Sequence, residues 1–175
     1  YANFLSTECR LRGGTVWLSC QHLKGVVTRA YQRGLMTANP FYAFHIGKNI
    51  REREFLTEQE LLRLMACQLD NPSQAFYRDI FVFSALTGMT FIDICHLRHS
   101  DIHDVNGEAW IFGHRQKTQT LFQVKLLPAA LDIIHRHAQP GEQIFAPLTY
   151  RTLAKHIPLI IQACGITKHI TFHCA

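Results

Sequence analysis

A mainly α-helical chain with one small antiparallel β-sheet, an α+β architecture, is predicted by three observations on the sequence. Apolar residues recur at helical spacing in most segments, the stretch 109–126 turns β-rich around a basic tip, and Gly, Pro and Asn-Gly cut the chain into short elements. The 175 residues are 47% hydrophobic and 18% charged, which allows a buried core and is unlike a disordered or fibrous chain. No apolar run approaches the ~20 residues of a membrane span, and Tyr1-Ala2-Asn3-Phe4 lacks the layout of a signal peptide. Six cysteines occur without a CxxC pair, so neither a disulfide framework nor a zinc set is expected, and the reading is a soluble protein of a reducing cytosol.

Taken in order, residues 15–33 predict an amphipathic helix, with Thr15 as cap, Val16, Cys20, Leu23, Val27, Ala30 and Tyr31 on its apolar stripe, and Gly34 as its stop. Asn39-Pro40 breaks the chain, and 40–54 reads as extended linker with a domain boundary. Thr57 and Glu60 form a capping-box pattern ahead of Leu61, Leu64, Met65 and Leu69. Asn71-Pro72-Ser73 restarts a helix carrying Phe76, Ile80, Phe83 and Leu86 and ending near Gly88, and a short helix at 90–98 follows. Asp104-Val105-Asn106-Gly107 is a turn, while 109–112 and 121–126 pair as a hairpin around Arg115-Gln116-Lys117-Thr118-Gln119. Helices resume at Pro128–Ala138 and Thr149–Ala163, the second bent or interrupted by Pro158, with Gly165 as its end.

The net charge of +5 is unevenly distributed. Residues 1–53 hold eight Lys or Arg against two Glu, whereas 54–175 is close to neutral. A basic segment ahead of a neutral one suits a polyanion such as DNA or RNA, although a solvated basic face has the same composition. Lys24, Arg33, Lys48 and Arg115 are the candidate nucleic-acid contacts.

Three motifs then stand in sequence: Thr87-Gly88-Met89-Thr90-Phe91-Ile92-Asp93-Ile94-Cys95-His96-Leu97 followed by Asp101-Ile102, then Lys117-Thr118 at the hairpin tip, then Thr171-Phe172-His173-Cys174-Ala175. In this order and separation, with Asn39-Pro40-Phe41 and Phe55-Leu56-Thr57 before them, the chain resembles the tyrosine recombinase (phage integrase) family over nearly its whole length. It is most similar to integrases of mobile elements in Bacteroides-type bacteria. The resemblance implies that 1–45 is the C-terminal part of a helical, SAM-like core-binding domain, 46–54 a linker, and 55–175 the N-terminal part of a catalytic domain. It also implies a bacterial cytoplasmic enzyme that integrates or recombines double-stranded DNA through a 3′-phosphotyrosine, without metal or cofactor and as a tetramer on DNA. Residue by residue, Lys117 matches the hairpin lysine that protonates the leaving oxygen, His173 the first residue of the His-x-x-Arg box, and Asp93 an acidic position supporting the first arginine. An ordinary solvated loop lysine and a surface helix carboxylate are the plain alternatives for Lys117 and Asp93.

Two departures accompany the resemblance. Thr90 occupies the position of the family's first arginine, and a hydroxyl cannot supply a bidentate cationic fork. Arg115 and Arg98 are the candidate substitutes. The second arginine, the later His or Trp and the tyrosine nucleophile would lie beyond Ala175, so the chain alone is expected to be an inactive monomer; Tyr150 is no substitute nucleophile. Among rival readings, His96-x2-His99-x3-His103 lacks a completing ligand set for a metal, and Cys174 beside His173 is adjacency without geometry. The alternative function is a DNA-binding regulator on a recombinase scaffold without cleavage.

Overall fold

The computed structural model describes residues 1–47 and 54–174 and divides into two compact units, Tyr1–Glu52 and Arg53–Ala175. In the first unit, α1 (Ala2–Thr7) and α2 (Gly13–Gln32) pack through Leu5, Val16 and Cys20, with Ala2, Phe44 and Ile46 against them. Helix α2 starts two residues before the predicted Thr15 cap, because the Arg12 carbonyl already accepts from the Thr15 and Val16 amides, at 2.8 and 3.0 Å. It ends as predicted at Gly34, whose left-handed backbone (φ 72°) accompanies Leu35 N–H donating to the Ala30 carbonyl. Of its six predicted apolar positions only Val16 and Cys20 are buried, and Tyr31 is exposed.

The expectation of an extended linker from residue 40 is corrected for 40–47. Asn39 Oδ1 accepts from Phe41 N–H at 2.9 Å, turning the chain back so that Phe44 and Ile46 join the first unit's core. Ile46, assigned to the linker from sequence, therefore packs within this unit; residues 48–53 lie outside the described ones. Lys24 Nζ donates to the Phe44 carbonyl at 3.3 Å, so its ammonium, expected to face phosphates, fastens this turn. Arg33 caps α2 and is exposed. Lys48 falls outside the described residues.

The second unit is built on α4 (Pro72–Thr87), reached from α3 (Glu58–Ala66). The Thr57–Glu60 capping box forms at α3, and Asn71 Oδ1 accepts the Ser73 and Gln74 amides at α4, with Pro72 in its first turn. Ile80, Phe81, Val82 and Phe83 are all buried, so α4 is apolar around most of its circumference, as a central helix must be. Gly88 closes it in left-handed backbone (φ 62°, ψ 19°). Helix α5 is shorter than the predicted 90–98, spanning Phe91–Cys95, because Leu97 and Arg98 leave it to meet Ile144 and Gln143.

After a 3-10 turn at His99–Asp101 come strands β1 (Ile102–Val105), β2 (Glu108–His114) and β3 (Leu121–Lys125), antiparallel in that order. Strand β1 was not predicted, since Ile-His-Asp-Val carries little alternation; the turn narrows to Asn106-Gly107, both at positive φ, the two-residue hairpin signature. Helix α6 (Pro128–His137) and helix α7 (Tyr150–Ala163) pack on α4, and α7 runs through Pro158 without interruption. Among the described residues no helix is long and apolar enough to cross a membrane, and all six cysteines are free.

Candidate functional site

Helix α5 organises the site. Its cap is Thr90, whose hydroxyl lies 2.8 Å from Asp93 Oδ2 while the two backbone amides complete a capping box. Thr90 is thus engaged in holding the helix start, a role that the spacing Thr90-x-x-Asp93 signals and the sequence reading passed over. Asp93 is 5% exposed and is the hub. Its Oδ1 accepts from Gln116 N–H at 2.9 Å, and its Oδ2 receives Arg115 Nη1 at 3.0 Å. Burial pushes the Asp93 carboxyl upward, but the Gln116 amide, the Arg115 guanidinium and the Thr90 hydroxyl outweigh it and hold the group below the ordinary carboxylate value.

Arg115 is fixed on three sides. Nη1 also donates to the Gly88 carbonyl at 3.1 Å, and the guanidinium carbon sits 4.6 Å from the centre of the Phe122 ring. Gly113 is the reason the ring can lie there: it pairs with Phe122 across the hairpin, and a Cβ would come 3.2 Å from two ring carbons. Both of these arginine hydrogen bonds use Nη1. Nε and Nη2 carry no hydrogen bond among the described residues, and the side chain keeps 29% of its surface in solvent. Three N–H donors in one plane therefore remain open, which is the edge that grips a phosphate or carboxylate bidentately.

The loop beyond Arg115 is tied internally as well as to α5. Arg115 N–H donates to Thr120 O at 2.8 Å, Gln119 N–H to Arg115 O at 2.7 Å, and Gln119 adopts φ 57°. Lys117 stands exposed at the apex, with no hydrogen bond or ion pair among the described residues. A cavity of about 350 Å³ beside Asp93 is lined by His96, His114, Gln116 and Phe122 among others; Arg115, Lys117 and His173 do not line it.

The same first turn of α5 leads to His173. The Phe91 ring meets Tyr150 edge-on at 5.5 Å and Phe172 at 5.8 Å, and Tyr150 lies tilted against the His173 imidazole at 5.9 Å. The Lys117 loop and His173 are thereby attached to one five-residue helix, the first through Asp93 and the second through Phe91 and Tyr150. Thr90, Lys117 and His173 are all exposed. Tyr150, set aside in the sequence as a nucleophile, is the link that sequence reasoning missed.

Arg98, the other candidate cation, is engaged with Glu142 at 2.5 Å and is not joined to Asp93. The three histidines of the metal hypothesis point to separate partners: His96 Nδ1 to Ile92 O at 2.8 Å, His99 Nε2 to Gln139 O at 3.1 Å, and His103 against the Phe112 ring. Among the described residues no group of three metal-ligating side chains gathers. Burial pushes the Cys95 thiol up to about 11, which leaves it protonated at neutral pH.

A buried helix-cap carboxylate thus clasps a hairpin arginine in the first turn of one short helix, and the lysine loop and the histidine are each attached to that same turn. Residues 54–175 match the model of the phage integrase family, and the chain belongs to that family, the tyrosine recombinases. The fold is shared with a lambda integrase (75–356) dimer bound to a COC′ core site, at TM-score 0.73 and 21% identity, covering 99% of this chain and 64% of that one. It is also shared with the Tn1549 transposon integrase in complex with circular intermediate DNA, at TM-score 0.72 and 17% identity over 97% of this chain and 66% of that one. XerH recombinase, bound to palindromic difH in a post-cleavage complex, gives 0.69 and 19% over 99% and 57%. The chain thus spans between about half and two thirds of the recombinases it matches. No curated protein matches it in sequence.

Proposed function

We propose that this chain carries the phosphate-gripping and proton-donating part of a site-specific DNA recombinase that integrates or exchanges double-stranded DNA as a tetramer. In this reading a tyrosine following Ala175 attacks the phosphorus and forms a 3′-phosphotyrosine. The 5′ oxygen leaves with a proton from Lys117, while Arg115 and His173 stabilise the equatorial oxygens. The covalent bond conserves the energy of the phosphodiester, so rejoining needs no nucleotide. Arg33 and Lys48 would contact the DNA backbone from the basic first segment, whereas Lys24, engaged with Phe44, contributes by fixing the turn at 41–46.

The observation that carries the reading is the Arg115–Asp93 pair. Where the family has arginine, this chain has a helix cap, and the hairpin returns a guanidinium to the same carboxylate with three donors open. The decisive experiment uses a polypeptide extended past Ala175 and a nicked suicide substrate that traps the covalent complex. Arg115→Ala is expected to slow trapping about 10²–10³-fold, and Lys117→Ala about 10²–10⁴-fold, with DNA affinity changing only a few-fold. Equal loss of binding and trapping would refute these roles. A polypeptide that binds DNA and never traps it would be the regulator instead, a reading favoured by the Thr90 hydroxyl being taken up in its own cap.

A further inference from the structure

We infer that Tyr150 is a positioning residue that sets the plane of the His173 imidazole, an inference that rests on the recombinase reading of the site. His173 is exposed, and its ring has no hydrogen-bond partner among the described residues. An imidazole so placed turns freely about two side-chain bonds, whereas a group that donates to one phosphate oxygen must hold its ring nitrogen within a few tenths of an ångström. Tyr150 supplies the constraint: the ring centroids lie 5.9 Å apart with the planes tilted by 34°, so the tyrosine borders the imidazole on one side.

The tyrosine is in turn placed by the start of a helix and by an aromatic neighbour. It is the first residue of α7, where the Thr149 hydroxyl accepts the Thr152 amide at 3.4 Å and meets the Thr152 hydroxyl at 2.7 Å. Its ring abuts Phe91 edge-on, Phe91 abuts Phe172, and Phe172 abuts Phe81, which is wholly buried in α4. A chain of edge-to-face contacts thus runs from the centre of the core to Tyr150, a tilted contact continues it to the imidazole, and its last two members are exposed. Tyr150 itself is 42% exposed. Nothing in the core's own packing requires an aromatic there, and its hydroxyl has no partner among the described residues. The ring's contacts with Phe91 and His173 are what it provides.

The contact is a matter of the ring, which makes the test sharp. Tyr150→Phe keeps the ring and removes the hydroxyl; Tyr150→Leu removes the ring and keeps the apolar bulk, with Tyr150→Met as a second aliphatic variant should the first fail to fold. In the 175-residue chain, the His173 ring-proton resonances should move on Tyr150→Leu and stay nearly in place on Tyr150→Phe. In the extended polypeptide, Tyr150→Leu should slow suicide-substrate trapping about 10- to 100-fold at unchanged DNA affinity, and Tyr150→Phe should restore it to within about 2-fold. Unmoved His173 resonances in the aliphatic variants overturn the inference. So does loss of trapping in Tyr150→Phe, which would assign chemistry to the hydroxyl. His173→Ala separates the two levels. If it traps normally, the reading of the site fails and the inference with it; if it is defective while Tyr150→Leu is not, the positioning role alone fails.

Discussion

Two buried aspartates in the second unit, Asp79 and Asp93, meet their arginines in opposite ways. Asp79 in α4 is surrounded: Arg78 reaches Oδ1 through Nε and Nη2, each at 2.8 Å, while Arg136 and His137 of α6 reach Oδ2 at 2.5 and 2.7 Å. Arg78 also donates from Nη1 to the Cys67 carbonyl, so all three of its nitrogens are occupied. Asp93 is equally buried, yet two of its four partners are backbone amides and a third is the Thr90 hydroxyl, so one guanidinium nitrogen completes the set. The first arrangement closes on itself and locks α4 to α6. The second satisfies the carboxylate while leaving Nε and Nη2 of a partly exposed Arg115 without a hydrogen bond among the described residues. A buried charge pair is costly to maintain, and only the second of these two leaves guanidinium donors free for the phosphate contact proposed above.

Breaking each hub should separate lock from grip. Asp79→Ala strands Arg78 and His137 inside the core and is expected to lower stability by about 3–5 kcal/mol, read as a fall in denaturation midpoint. Asp93→Ala leaves the Gln116 amide and a partly solvated Arg115 unpaired, and about 2–3 kcal/mol is expected. If Asp93→Ala costs as much as Asp79→Ala, the contrast between a closed and an open cluster is wrong. Gly113→Ala comes next, forcing the Phe122 ring off Gly113 and out from under Arg115. About 1–2 kcal/mol is expected, with trapping of DNA reduced by more than the stability loss explains. Thr90→Val, which keeps the shape and removes the cap, should cost about 1 kcal/mol and leave DNA affinity unchanged.

The smallest effect is a pH dependence remote from both hubs. The bond from Lys168, followed by the Thr57 amide and hydroxyl, lowers Glu60 from its usual 4.5 to about 2. A carboxylate with a depressed folded pKa contributes its stability fully above 4.5 and loses it as pH falls toward 2. Wild type and Glu60→Gln should therefore differ in stability at neutral pH and converge by about pH 2. A difference that persists unchanged at that pH would show that the side chain's packing, not its charge, matters.

Much of the fold is legible because its signals are local. Thr57–Glu60, Asn71-Pro72, Gly34, Gly88 and Asn106-Gly107 act on partners within a few residues, and each marks an element end where the spacing predicts it. The misreadings have a common cause. Strand β1 exists because β2 offers it a partner, α5 stops early because Arg98 bridges to Gln143, and residues 41–46 fold back because Phe44 and Ile46 find Leu5, Val16 and Cys20. None of these partners is a sequence neighbour.

By itself the sequence determined the helical framework, the basic hairpin tip, and the motif order around Thr90, Lys117 and His173 that marks the family. Only the tertiary structure decided that Arg115 rather than Arg98 joins Asp93, across 22 residues, and that Tyr150 stands between Phe91 and His173. The physical reason is range. Caps, turns and periodicity depend on backbone bonds that close within one helical turn or one hairpin, whereas the choice of partner for a guanidinium or an imidazole depends on which packed faces the whole core brings together.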